Sequence, residues 1–230
     1  MSGQPAYRLV RRVGAAGGLY AADLGGSPPR RFEVVESAGR GGSRLDEWSV
    51  WVSVQSGCAV GCAHCDAGEG PYGGNATAAE LLEQVRVALS SHPEVDPSRV
   101  RAFKLRFARI GEPTFNDGVL EALETLARGG ALPSLVPSVS TVAPDCAVSA
   151  SFLERLRGLK ERSFPGGRFR LQFSLHSTDP AARRALVPVR TWGFERMAEF
   201  GRRWRRPGDR RVALNVVSAR AVPFDPDRLA

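Results

Sequence analysis

The sequence has few lysines and no long apolar run, and both shortages limit what the protein can be. Lys104 and Lys160 are the two lysines among 32 basic residues, so arginine carries most of the positive charge behind the formal net charge of +8. No stretch approaches the ~18 apolar residues that a membrane-spanning helix requires. The amino-terminal residues 1–5 also lack an apolar secretion signal. These absences argue against a membrane protein, and the basic charge is compatible with an acidic partner such as RNA.

Cysteine is equally scarce, and its distribution favours metal chemistry over disulfides. Three of the four cysteines, Cys58, Cys62 and Cys65, stand within eight residues with the spacing C-x3-C-x2-C. Thiolates are soft ligands that suit iron–sulfur clusters, zinc and copper(I). A closed site usually takes four protein ligands, whereas this run supplies three and leaves a coordination position for a small molecule. Clustered thiols without a secretion signal indicate a reducing, cytoplasmic location.

The chain is long enough for one sizeable core, preceded by a smaller segment. Residues 1–47 predict an amino-terminal β-extension, and residues 48–230 predict the main domain. Within the extension we expect short strands at 7–13 and 32–36, with a glycine-rich turn at 14–18 between them.

Strand and helix patterns alternate through the main domain. Residues 48–55 are apolar at every second position, which is typical of a strand, and they end just before the first clustered cysteine. Thr77 and Glu80 have the spacing of a capping box that starts a helix. Further strands are expected at 103–110, 136–142, 169–175 and 212–217, with helices at 119–128, 150–161 and 180–206, the last interrupted at Pro188. This alternation predicts an α/β fold, a partial (β/α) barrel of TIM type.

Polar residues follow three of these strands at the end where such barrels place their active sites. They are Gly111 and Glu112, then Ser140, then Ser174 and His176. Glycine permits close backbone approach, a carboxylate accepts a hydrogen bond from an ammonium group, and hydroxyls bond a ribose or carboxylate. Each residue alone also fits a turn, a helix cap or a buried histidine. Their recurrence at successive strand ends favours a binding site.

The cysteine spacing, placed after a strand and before a glycine-rich loop, resembles the signature of radical S-adenosylmethionine (SAM) enzymes. In that family three thiolates hold a [4Fe–4S] cluster, and the open iron chelates the amino and carboxylate groups of SAM. An electron from the cluster cleaves SAM to a 5′-deoxyadenosyl radical. The resemblance implies both cofactors and an electron donor such as flavodoxin or ferredoxin. The family usually has an aromatic residue where this chain has His64.

A narrower resemblance, over roughly residues 20–220, is to the RNA adenine-C2 methyltransferases of that superfamily. The matching motifs run in the same order, at 53–65, 77–80, 111–113, 140–141 and 174–188. The resemblance implies that Cys58, Cys62 and Cys65 hold the cluster. It also implies SAM contacts from Gly111, Glu112, Ser140, Ser174, Leu175 and His176. Among these, Glu112 would orient the methionine amino group.

The departures from that branch concern thiols and length. Those enzymes have a cysteine seven residues before the first cluster cysteine, where this chain has Trp51. They also carry the methyl group on a carboxyl-terminal cysteine, whereas Cys146 is the last cysteine here. Methyl transfer through a carrier cysteine is therefore disfavoured. Their amino-terminal RNA-binding domain and sixth strand have no counterpart in the sequence, so we expect a short form or a truncated chain.

We therefore expect a radical SAM enzyme that modifies either RNA or a small molecule. We expect no membrane partner. One alternative is an RNA adenine-C2 methyltransferase-like transferase acting on rRNA or tRNA, favoured by the basic charge. The other is a non-catalytic metal-binding module. A structural zinc site of that kind would need a fourth ligand such as Cys146 or His176.

Overall fold

A computed structural model describes residues 7–13 and 16–229. The strands are β1 (Arg8–Val13), β2 (Gly17–Asp23), β3 (Arg31–Ala38), β4 (Trp48–Val52), β5 (Gln55–Ser56), β6 (Gly74–Asn75), β7 (Phe103–Phe107), β8 (Leu135–Thr141), β9 (Arg170–His176) and β10 (Ala213–Val216). The helices are α1 (Ala78–Ser90), α2 (Gly118–Gly129), α3 (Ala147–Ser163), α4 (Pro180–Leu186) and α5 (Phe194–Trp204). Short 3₁₀ turns lie at 66–68, 97–99, 113–115 and 226–229.

Eight strands form one open sheet in the order β1-β2-β3-β4-β7-β8-β9-β10. The pairs from β1 to β4 are antiparallel, and the pairs from β4 to β10 are parallel. Strands β5 and β6 form a separate two-stranded hairpin. The predicted α/β fold with a parallel sheet is confirmed, and an open parallel sheet is what a partial barrel requires. The boundary at residue 47 stays a prediction, since β3 pairs directly with β4.

One face of the sheet packs against the helices and forms the core. Val50 of β4, Leu105 of β7 and Val139 of β8 are fully buried there. They alternate with side chains on the opposite, open face, as the pleat requires. Helix α1 begins at the predicted capping box: the Thr77 hydroxyl accepts from the amide of Glu80, whose carboxylate accepts from the amide of Thr77.

Strand β2 is the main element that the sequence patterns did not predict. The turn expected at 14–18 ends earlier, because Gly17 and Gly18 belong to β2; residues 14 and 15, like 1–6 and 230, lie outside the described residues. A Cβ on Gly17 would clash with the Glu36 carbonyl oxygen, so glycine here permits close strand pairing. The predicted interruption at Pro188 is confirmed, since α4 and α5 are separate helices. None of the helices in the described part is long and apolar enough to cross a bilayer.

Candidate active site

A cavity of about 280 Å³ opens at the carboxyl ends of the parallel strands. Eight of the nine predicted site residues line it: Cys58, Cys62, Cys65, Gly111, Glu112, Ser140, Ser174 and His176. The ninth, Leu175, does not. The chain therefore brings together residues that are spread over more than a hundred positions of sequence.

The three clustered cysteines lie on a loop whose path depends on glycine. Gly57 and Gly61 have φ angles of 71° and 68°, a left-handed conformation that side chains disfavour. A Cβ on Gly57 would lie 2.7 Å from the Pro71 carbonyl oxygen, on the glycine-rich segment that follows the cysteines. The amide of Ala63 donates to the carbonyl of Leu186 at 2.9 Å and so ties the loop to the end of α4.

The chemistry of this donor set fits a cationic metal centre. All three thiols are free and half-buried. Burial raises the pKa of Cys58, and burial together with the neighbouring Cys58 and Cys65 raises the pKa of Cys62 to about 12. Three thiolates so close together are therefore unfavourable without positive charge, and a bound iron–sulfur cluster supplies that charge.

The residues around these thiols bear on the choice between a cluster and zinc. Among the described residues, no group of three or more His, Cys, Asp or Glu side chains has the arrangement of a metal-ion ligand set. Cys146 is one of the two candidates for a fourth zinc ligand. It is exposed at the start of α3 and does not line the cavity. His176, the other fourth ligand considered for zinc, lines the cavity with the three thiols.

Gly111 forms the close contact between the end of β7 and the start of the cysteine loop. Its φ is 100°, and a Cβ there would lie 2.6 Å from the Gln55 side chain. Gln55 in turn accepts at its Oε1 from the amide of Glu112 at 3.0 Å and from that of Ala59 at 3.4 Å. Sequence patterns did not single out Gln55, although it immediately precedes the cysteine loop.

Glu112 is more deeply embedded than its predicted ligand contact requires. Its side chain is 3% exposed, and burial raises the pKa of its carboxyl group. One carboxylate oxygen accepts from the amide and hydroxyl of Thr114 at 3.0 and 2.8 Å, and the other accepts from the amide of Val142 at 3.1 Å. Glu112 therefore ties the ends of β7 and β8 together, which limits the acceptor capacity left for a ligand.

The imidazole of His176 is buried in the cavity wall without a hydrogen-bond partner. The residue is 9% exposed, its φ is 64°, and both ring nitrogens are buried without a partner. Its ring meets that of His64 edge-on, with 4.4 Å between centroids. Burial, with smaller contributions from His64 and Arg183, lowers the pKa of His176 to about 4. A neutral, strained and unpartnered imidazole is typical of a ligand-binding position.

The remaining predicted residues lie on β8 and β9, where successive side chains alternate between the cavity and the core. Ser140 and Ser174 are half-buried and line the cavity, whereas the side chain of Leu175 is 1% exposed and belongs to the core. The SAM contact implied for Leu175 stays a prediction. Three polar lining residues were missed: Arg109, Gln172 and Asn215. Alternation could have found Gln172, which lies two residues before Ser174 on the same face of β9.

Comparison with known proteins points to one group. No protein-family model matches the chain. It is 31% identical over 218 residues to the probable dual-specificity RNA methyltransferase RlmN of Acidothermus cellulolyticus, covering 88% of this chain and 48% of the relative. The protein of the same name from Desulfitobacterium hafniense is 31% identical over 178 residues, covering 75% and 46%. The chain thus spans about half the length of the curated relatives it matches.

A solved structure shares the fold. The crystal structure of a radical SAM methyltransferase from Sphaerobacter thermophilus superimposes with a TM-score of 0.71 at 22% sequence identity. The match covers 98% of this chain and 62% of that one. At this identity the likeness establishes the architecture alone.

Proposed function

Because the chain belongs to the radical SAM superfamily and resembles its RlmN-like branch, we propose that it is a radical SAM enzyme. The observation that carries the proposal is the cavity itself. It is bordered by three free, half-buried thiols and by an imidazole whose two buried nitrogens have no partner. This donor set suits a [4Fe–4S] cluster with a small polar molecule bound beside it.

Cys58, Cys62 and Cys65 would ligate the cluster, leaving one iron without a protein ligand. When bound, the cluster supplies the electron that cleaves SAM reductively to a 5′-deoxyadenosyl radical, which abstracts hydrogen from the substrate. The loop keeps the thiols half-buried. This position shields them from bulk water and strengthens their interaction with a cationic centre.

Residues at the strand ends would hold SAM. Gly111 lets the backbone approach the ligand, and Glu112 fixes the rim and offers residual acceptor capacity to the amino group. The hydroxyls of Ser140 and Ser174 can bond the ribose or the carboxylate. His176, neutral and unpartnered, can donate from one ring nitrogen and accept at the other.

The substrate favoured by the relatives is RNA, in an RlmN-like modification of rRNA or tRNA in the cytoplasm. The formal net charge of +8 also supports a polyanionic partner. A ping-pong methyl transfer through two cysteines is disfavoured, since Trp51 stands at the position of the first of them. A small-molecule substrate is the alternative, and flavodoxin or ferredoxin would supply electrons.

The test is anaerobic reconstitution with iron and sulfide, followed by incubation with SAM and dithionite. The expected product is 5′-deoxyadenosine, detected by mass spectrometry, and Cys146→Ala should form it at the same rate. A colourless protein that retains one zinc and makes no 5′-deoxyadenosine would favour the metal-binding module instead.

A further inference from the structure

The open face of the parallel sheet carries a row of side chains that the proposed chemistry does not use. We call it the arginine row, and it consists of Trp51, Arg106, Ser138 and Arg170. These residues are direct cross-strand neighbours on β4, β7, β8 and β9. All four lie on the face opposite to the helix-packed residues, because they alternate with buried apolar neighbours along each strand.

The row lies directly beneath the cavity. Ser140 and Gln172 line the cavity and stand two residues further along β8 and β9 than Ser138 and Arg170. Two residues of a strand span about 7 Å, so a group bound in the cavity and a group bound at the row can belong to one molecule.

The guanidinium groups of the row lack an anion. Within residues 7–13 and 16–229, neither Arg106 nor Arg170 has an ion pair or hydrogen bond from its guanidinium, and the Nε of Arg106 is buried without a partner. Burial and the charge of Arg170 lower the pKa of Arg106. Glu47 acts on Arg106 electrostatically, but its carboxylate is already ion-paired with Lys104.

Arg106 and Arg170 are half-buried cations that repel each other. An anion shared by both guanidinium groups would therefore stabilise both charges. The planar guanidinium matches phosphate oxygens in a bidentate fashion. The ring of Trp51 lies in the same row, with the Arg106 Cζ 5.2 Å from its centroid. An aromatic face next to arginines is the combination that single-stranded nucleic acid uses, with bases stacking and phosphates pairing.

We propose that the arginine row binds a phosphate of single-stranded RNA, with Arg106 and Arg170 as its ligands and Trp51 as a stacking surface for an adjacent base. The inference rests on the proposed function for the identity of the substrate. It adds the subsite that would hold the strand while a neighbouring base reaches the cavity.

The test measures RNA affinity by fluorescence anisotropy with the purified full chain and a labelled single-stranded RNA of about 12 nucleotides. The variants are the double substitutions Arg106→Gln with Arg170→Gln, and Arg106→Lys with Arg170→Lys. A matched control, Arg99→Gln with Arg128→Gln, removes the same charge from exposed positions outside the row. We expect the glutamine pair to weaken binding about tenfold at moderate salt, with the slope of log affinity against log salt reduced by about 0.7, because one phosphate contact is lost.

The lysine pair should lose less affinity than the glutamine pair, because its charges remain although the bidentate geometry is lost. The control pair should change affinity by less than about twofold. Equal losses in the control and glutamine pairs, or none in the glutamine pair, would overturn the proposal. An affinity for the RNA no higher than the affinity for adenosine 5′-monophosphate would also overturn the proposal. The assay contains no SAM or reductant, so the RNA affinities can be interpreted even if the protein fails to cleave SAM.

Discussion

The two faces of the parallel sheet are built from alternate residues of the same strands, yet they differ in almost every physical property. On the helix side, Val50, Leu105 and Val139 are fully buried in one continuous apolar core. On the open side, Trp51 and Arg106 are half-buried, and the cavity lies above them. Stability is therefore concentrated on one face and recognition on the other, so substitutions on the two faces should have separable effects.

The largest expected effect lies at the cavity. Cys62→Ala should abolish cluster binding and SAM cleavage, because two thiolates cannot hold a four-iron cluster securely. Iron and sulfide content and 5′-deoxyadenosine formation measure the loss. Without metal, the variant and the parent should unfold within about 1 kcal/mol of each other, since the thiol lies outside the main core.

Cys146→Ala is the control for this substitution, because Cys146 is exposed and does not line the cavity. Retention of the cluster by Cys62→Ala would remove Cys62 from the ligand set. Iron loss in Cys146→Ala would instead mean a fourth protein ligand and a closed site.

The second prediction compares neighbours on β7 that point to opposite faces. Leu105→Ala should lower the free energy of unfolding by about 2–5 kcal/mol, because the side chain is fully buried and leaves a cavity. Arg106→Ala should cost less than about 1 kcal/mol, because among the described residues its guanidinium makes a cation–π contact with Trp51 but no hydrogen bond or ion pair. Urea denaturation of both variants measures the difference. Similar losses would mean that the open face also contributes to the core.

The third prediction concerns the rim where the sheet meets the cysteine loop. Gly111→Ala should cost about 1–3 kcal/mol, because its φ of 100° disfavours a side chain and the new Cβ would contact Gln55. Gly129→Ala is the matched control: no atom lies within 4 Å of its Cβ position, so the change should be neutral or stabilising. Thermal unfolding of both variants is the measurement, and an equally stable Gly111→Ala would show that the rim relaxes freely.

The smallest effect is expected at the start of α1, far from recognition. Thr77→Ala removes the capping box and should cost about 1 kcal/mol. Thr125→Ala, in the exposed last turns of α2, should change stability by less than about 0.5 kcal/mol. The measurement is the midpoint of denaturant-induced unfolding for each variant. Equal midpoints would mean that the capping box contributes no measurable stability.

Periodicity was sufficient to predict most of this architecture. The alternating pattern of residues 48–55 and the capping box at Thr77 are local signals. The helix begins at the capping box, and the strand begins at Trp48 but ends at Val52, earlier than expected. Strand β2 was missed because its paired glycines have the composition of a turn. Their extended conformation depends on pairing with β1 and β3, which is a long-range effect.

The site was only partly predictable, for a similar reason. Resemblance supplied the cysteines and the strand-end residues, but the hydrogen bonds of Glu112 to Thr114 and Val142 depend on how two strand ends meet. Leu175 was included with its neighbours in one motif, although alternation turns its side chain into the core. The arginine row becomes visible once the cross-strand register is known, because its members lie on four different strands.

The proposed function requires that three cysteines hold the cluster and leave one iron free for SAM. Electron paramagnetic resonance of the reconstituted, dithionite-reduced protein, recorded with and without SAM, tests it directly. The expected result is a [4Fe–4S]⁺ signal whose g-values shift when SAM is added. An identical spectrum at saturating SAM would contradict it, since every iron would then already be ligated by the protein.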